Sequence, residues 1–136
     1  MLKPVRFDSG RLVKLPAATT VTFVKGAAVT DNGSGYLTLA TSSTAVDIKY
    51  IAWQDLTTTA DGDLLLCYRV VGGVQIEADT DANPAQTDVG TFADLATNST
   101  INPDASTNDL FFIEKIKGAL ADKKVIGYFV EGVPNS

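Results

Sequence analysis

The chain contains no histidine and only one cysteine among its 136 residues. Without imidazole, neither a Ser-His-Asp nor a Cys-His arrangement can be assembled, and the commonest zinc ligand and neutral-pH base are missing. The lone thiol, Cys67, has no internal partner for a disulfide. It sits in the run Leu64-Leu65-Leu66-Cys67-Tyr68, which reads as the setting of a buried small hydrophobe rather than a reactive thiolate. Long hydrophobic runs are also lacking: stretches such as Leu64 to Tyr68 and Tyr128 to Val130 are far too short to cross a bilayer. The opening residues, Met1-Leu2-Lys3-Pro4-Val5-Arg6-Phe7-Asp8, carry no apolar core of a secretory signal. A soluble protein made in a reducing compartment is expected.

Composition is ordinary for a globular domain, with 45% hydrophobic and 20% charged residues. A chain of this length buries enough surface to fold without a metal or disulfide, so one domain spanning 1–136 is expected. Charge is unevenly spread over a net −5. Residues 1–50 carry Lys3, Arg6, Arg11, Lys14, Lys25 and Lys49 against Asp8, Asp31 and Asp47. Between residues 51 and 110 only Arg69 opposes ten acids. An acidic centre of this kind argues against nucleic acid, whose phosphates demand a basic surface.

Strand signals dominate. Thr20 to Lys25 mixes β-branched and aromatic residues, the types that fit a pleated, half-buried surface. Asp31-Asn32-Gly33-Ser34-Gly35 follows as a turn, and Tyr36-Leu37-Thr38-Leu39 alternates, so a hairpin or meander is predicted here. Ile48 to Gln54 is a further strand, in which Tyr50 and Trp53 are expected to share a face as a core pair or an aromatic platform. Leu64–Val71 and Val74–Asp79 flank Gly72-Gly73, the pattern of a two-residue hairpin, with Val70, Val74 and Ile76 expected to be buried. The stretch 79–109 reads as long acidic surface loops interrupted by short strands. Leu110–Ile116 and Val125–Val130 close the chain as two strands, with one helical turn allowed between them. No window shows a sustained helical period. The fold class is therefore all-β: a small barrel or tulip-like sandwich with long loops, an extended N-terminal arm over residues 1–18, and a frayed tail over 131–136.

Chemistry-bearing motifs are sparse. Asp79, Asp81 and Asn83 match the first ligand positions of a calcium loop, but Pro84 and Gly90 stand where that loop needs glycine and glutamate. A solvated acidic loop is the better account, and no metal or other cofactor is expected. No Gly-rich phosphate loop precedes a Lys-Ser/Thr pair, and Asn98-Ser99-Thr100 carries no weight without a secretory signal. The acids of the centre lie mostly beside turn-formers, so no catalytic pair stands out and an enzyme is not expected. A partner-binding role falls instead to the basic, β-prone arm, with Lys3, Arg6, Phe7, Arg11 and Lys14 as its contact residues.

From Gly62 onward the chain resembles the head decoration, or capsid-stabilising, proteins of tailed bacteriophages. The resemblance rests on Asp61-Gly62-Asp63 leading into an apolar strand, on Gly72 to Thr80, on Val89-Gly90 and on Asp94 to Asn102. Asn108 to Glu114 and Val125 to Val130 complete it. It implies a small β-barrel or tulip-like core and a non-enzymatic virion structural role. The protein would sit on the outer surface of an assembled capsid, over junctions between major capsid subunits, after synthesis in the host cytoplasm. A homo-oligomer, a trimer for preference, is implied too. The residues alone leave two alternatives open: another β-type virion component such as a tail, fibre or connector subunit, and a ligand-binding barrel or adhesion module with contacts near Trp53 and Tyr50.

Overall fold

A computed structural model describes residues 1–132. Thirteen strands and no α-helix occur among them. Five strands close a barrel in the order β2 (Leu12–Ala17), β5 (Leu37–Leu39), β4 (Ala28–Asp31), β6 (Tyr50–Ala52) and β8 (Asp63–Arg69). The other main sheet runs β1 (Leu2–Pro4), β9 (Ile76–Thr80), β11 (Thr100–Asn102), β10 (Phe92–Thr97), β12 (Phe111–Ile116) and β13 (Lys124–Phe129). Since β9 also pairs with β13, this sheet curls round on itself. A small ribbon of β3 (Thr22–Phe23) and β7 (Leu56–Thr57) lies beside the barrel strands in sequence. The all-β barrel expected from the sequence is what the chain forms.

Two-residue periodicity explains how the two bodies meet. On β8, Leu65 and Cys67 face the barrel interior with Phe23, Val29, Leu37 and Ala52, whereas Tyr68 and the following Val70 face the other way. Ala28 and Ile51 likewise turn outward from the barrel. These outward side chains join Ile76, Leu95, Ile101, Phe111, Ile113 and Phe129 of the second sheet in one larger core. The second sheet is thus completed by the barrel wall. Burying that many aliphatic and aromatic side chains is the main stabilising contribution, at roughly 1.5–3 kcal/mol for each fully buried one.

The Asn32-Gly33 turn does join an antiparallel pair, β4 and β5, with Gly33 and Gly35 at positive φ. Its first strand is Ala28–Asp31 rather than Thr20–Lys25, of which only Thr22–Phe23 is extended and pairs with β7. The terminal strands β12 and β13 pair as expected, linked through a 3-10 turn at Leu120–Asp122. The Gly72-Gly73 hairpin does not form. Both glycines adopt positive φ, as such a turn requires, but β8 pairs with β2 and β6 while β9 pairs with β1, β11 and β13. The two glycines therefore turn the chain from one body to the other. Val70 and Ile76 are buried and Val74 is partly so.

Residues 1–18 are not a free arm either. Leu2 is fully buried, β1 lies along β9, and β2 is a barrel strand paired with β8 over six positions. Pro4 and Pro16 are accommodated because β1 is a short edge strand and β2 meets β5 only at Ala17. Of the expected tail, Glu131 and Gly132 are exposed yet tied down. The Glu131 carboxylate accepts from the Gly72 amide, and the Gly132 amide donates to Asp47. Residues 133–136 lie outside the described residues.

Candidate partner-binding surface

Between β1 and β2 the chain crosses the barrel wall as a strap, residues 5–11. The strap is fixed by backbone groups at both ends: the Val5 amide donates to Gln75, and the Asp8 amide donates to the Tyr68 hydroxyl at 3.0 Å. Asp8 caps a 3-10 turn at Ser9–Arg11, its carboxylate accepting from the Gly10 amide at 2.9 Å. Arg11 then donates from Nη1 to the Val71 carbonyl at 2.9 Å. With the flanking backbone held, Phe7 is laid against two aromatics. Its ring stacks on Trp53 at 5.9 Å and lies 5.5 Å from Tyr68, and Trp53 and Tyr68 are 5.7 Å apart. Lys25 Nζ sits 4.6 Å from the Trp53 ring centroid, in cation–π range. The Lys25 amide is itself anchored on the Asp55 carboxylate. Tyr68 is buried, whereas Phe7 is 51% exposed. A fixed aromatic pile with one open ring and a cation against it is the chemistry of an interface anchor.

The five residues predicted to bind a partner divide. Phe7 is at the centre of the pile and Arg6 precedes it, exposed, with its carbonyl near the Tyr68 hydroxyl. Lys14 is exposed on the outer side of β2, on the face that includes Leu12, which is paired with Tyr68 in the adjoining strand. Arg11 is spent on main-chain carbonyls of the strand end. Lys3 lies on the other body, ion-paired with Glu77 at 3.2 Å. The sequence reading missed Trp53, Tyr68 and Lys25 as members of this surface. Tyr50 and Trp53 do not share a face, because they stand three positions apart in a strand that alternates by two. Tyr50 packs toward the barrel interior and Trp53 toward the shared core.

The acidic centre is also accounted for by position. Glu77, only 6% exposed, accepts ion pairs from both Lys3 and Lys117. The Lys117 hydrogen bond chiefly holds its carboxyl below the ordinary value, against the opposing effect of burial. Asp79 is met by Lys124 at 2.6 Å and by the Met1 ammonium at 2.7 Å. Burial raises its pKa, and these hydrogen bonds together lower it by more. Asp94, nearly buried, accepts the amides of Thr107, Asn108 and Asp109, so it folds the 103–109 loop rather than offering a free ligand. Among the described residues no three His, Cys, Asp or Glu side chains are grouped to hold a metal ion. Cys67 is fully buried, and burial pushes its thiol up to about 12, in keeping with an inert core role.

A second concave feature lies at one mouth of the barrel, a cavity of about 520 Å³ lined by Val29, Leu37, Val46, Lys49 and Tyr50, with Asp31 at its edge. Its lining mixes apolar side chains with charged groups of both signs. No helix of the described residues is long and apolar enough to cross a membrane. No protein-family model, curated protein or solved structure matches this chain significantly.

Proposed function

We propose that this protein is a non-enzymatic structural component that attaches to the outside of an assembled bacteriophage capsid and stabilises it. The observation that carries the reading is the Phe7–Trp53–Tyr68 pile: an exposed aromatic on a fixed strap with Lys25 against Trp53, and with Arg6 and Lys14 exposed on the strap and on the outer side of β2. The likeness of residues 62–130 to head decoration proteins supplies the partner, the major capsid protein. Ligation to the assembled lattice alone lowers the free energy of that lattice, so a cement protein needs a surface and no catalytic group. Strand addition by the N-terminal segment is no part of the proposal, because Leu2–Pro4 and Leu12–Ala17 are already paired within the chain.

The test is co-sedimentation of the full chain with purified capsids that lack it. Wild type should pellet with the particles, and the triple variant R6E/F7S/K14E should remain in the supernatant with an unchanged circular dichroism spectrum. Equal binding of the two proteins would refute this surface, and no binding of wild type to capsids would refute the function. A ligand-binding barrel is the second reading, favoured by the cavity at Tyr50 and Lys49. That reading expects Val46→Trp, which fills the mouth, to abolish ligand binding and leave capsid binding intact.

A further inference from the structure

The turn between β4 and β5 holds a reactive dipeptide. Asn32 is followed by Gly33, whereas the other asparagines of the chain precede proline, serine or aspartate. In an Asn-Gly pair the glycine nitrogen can attack the asparagine side-chain carbonyl and close a succinimide ring, since no β-carbon on the second residue blocks the approach. Gly33 has φ +88° and nothing within 4 Å of where a side chain would start. Asp31 to Gly35 are all exposed, so water reaches the site.

The hydrogen bonds of the turn fall on the two reacting groups. The Gly33 amide, which carries the nucleophile's proton, donates to Asp31 Oδ1 at 2.6 Å. Asn32 Oδ1 accepts the Ser34 amide at 2.9 Å and the Tyr36 amide at 3.3 Å, and the Asn32 amide donates to the Tyr36 carbonyl at 2.8 Å. Ring closure requires the Gly33 nitrogen to give up its proton. A carboxylate that accepts the N–H favours the protonated amide, and its negative charge opposes an anionic nitrogen beside it. The two amides on Oδ1 also restrict the Asn32 side chain to the turn. The bond to Asp31 that shapes the turn thus slows its chemistry.

We propose that Asn32-Gly33 is a site of spontaneous deamidation, with Asp31 as the positioning residue that restrains it. In the reaction the Gly33 nitrogen bonds to Asn32 Cγ and passes its proton to solvent, the Cγ–Nδ2 bond breaks, and ammonia leaves. Water then opens the succinimide at either carbonyl, leaving aspartate or isoaspartate at position 32, and nothing is oxidised or reduced. Both products add a negative charge next to Asp31, and isoaspartate routes the main chain through an extra methylene. The turn joins a short strand pair, in which Val29, Thr30 and Asp31 stand opposite Leu39, Thr38 and Leu37. Asp31, Gly33 and Leu37 also line the cavity at the barrel mouth. Isoaspartate therefore lengthens the turn and loosens the barrel at that mouth. None of these residues belongs to the surface assigned to capsid attachment.

Ageing of the full chain at mildly alkaline pH tests this without any capsid. Samples are digested at intervals, and the peptides are read by mass for replacement of NH by oxygen, with the aspartate and isoaspartate forms separated by chromatography. Asn32 should convert ahead of every other asparagine. Asp31→Ala should raise its rate by about tenfold, the worth of a charge-assisted hydrogen bond. Asn98, which precedes serine in another turn, is the reference within the same digests, and its rate should not change, because Asp31→Ala leaves the fold intact. In urea the restraint should be lost, so that wild-type Asn32 converts faster and Asp31→Ala has no further effect. Aged protein carrying isoaspartate, separated by ion exchange, should unfold at a lower urea concentration than unreacted chain. Conversion at Asn32 that lags another asparagine, a rate unmoved by Asp31→Ala, an equal rise at Asn98, an effect of Asp31→Ala that persists in urea, or an unchanged midpoint for the isoaspartate form would each overturn the proposal.

Discussion

The barrel and the second sheet are both built of short strands that close on themselves, yet they are held together differently. The barrel interior is filled by small and medium side chains, Ala17, Val29, Leu37, Ala52, Leu65 and Cys67, with Phe23 as the one aromatic in the buried set. That core is closed by Phe23 of the β3 ribbon and takes no residue from the second sheet. The second sheet has larger inward residues, Phe111, Phe129, Ile76 and Ile101, and its core is completed by Ile51, Tyr68 and Val70 from the barrel wall. Outside, the contrast reverses. The ion pairs among the described residues all lie on β1, β9 and β13 and the turn between β12 and β13, whereas the barrel wall is held through the strap and its aromatics. One body is self-contained and the other is dependent on it. The cooperativity of the whole chain therefore rests on the shared core.

The strongest test of that contrast is Phe111→Ala. Phe111 is fully buried in the shared core and packs edge-on against Phe129 at 5.3 Å. Truncation should cost about 3–5 kcal/mol in denaturant unfolding, and the loss should be seen equally by the Trp53 fluorescence of the barrel side and by far-ultraviolet circular dichroism. Divergence of the two probes would show that the bodies unfold separately and that the shared core does not couple them. Next in size is Gly127→Ala. Gly127 is opposite Ile113 in β13, and an added Cβ would run into the Phe112 carbonyl and the Phe111 ring. A backbone obstacle cannot rotate away, so a loss of about 1–3 kcal/mol or more is expected from overpacking. An unchanged urea midpoint would mean that β12 and β13 can separate at no cost.

Much of this architecture was legible in the sequence where the deciding interaction is local. The Asn32-Gly33 turn and the β12–β13 pair depend on neighbouring turn chemistry and alternation, and both formed. Gly72-Gly73 carries the same kind of signal and misled. Its dihedrals are those of a tight turn, but partner choice was settled by β2 and β1, segments far away in sequence, as in the pairs Leu12–Tyr68 and Leu2–Ala78. The N-terminal segment was misread for a related reason. Pro4 ends the short edge strand β1, Gly10 lies in the strap's 3-10 turn, and Pro16 sits inside β2 at a position that β5 does not pair with, so a missing amide or a bend costs little at each. The candidate surface was half visible: Phe7, Arg6 and Lys14 came from charge and β-propensity, while Trp53, Tyr68 and Lys25 joined them only through long-range packing. The acids between 51 and 110 looked like loop decoration. Glu77 and Asp94 are nearly buried and organise lysines and amides, a role that no local pattern announces.

Glu77 gives the third test, aimed at the polar side of the comparison. Its carboxyl titrates below the ordinary 4.5 because Lys117 and Lys3 favour the charged form. A lowered folded-state value means that the stabilisation is fully present above the unfolded-state value and is lost as pH falls through the folded one. Wild type should therefore be more stable than Glu77→Gln at neutral pH, and the gap between their urea midpoints should shrink as the pH is taken from about 5 toward 3. A constant gap for Glu77→Gln would place its contribution in packing rather than charge.

The smallest effect on stability, and the most local, is expected from Phe7→Ser. Phe7 is half exposed and its ring contacts only decorate the barrel wall, so removing it forfeits about 0.5–1.5 kcal/mol of aromatic contact and leaves the strap's backbone anchors in place. Trp53 is the sole tryptophan, which makes its emission a direct report on this pile. With Phe7 gone, water gains one face of the indole while Lys25 keeps its place near the ring, so the emission maximum should move to the red. Quenching by iodide should rise more than quenching by caesium, because a cation close to the ring attracts the anion and repels the cation. An unaltered spectrum would mean that Phe7 does not cover Trp53 in solution, and the surface proposed to meet the capsid would lose its aromatic anchor.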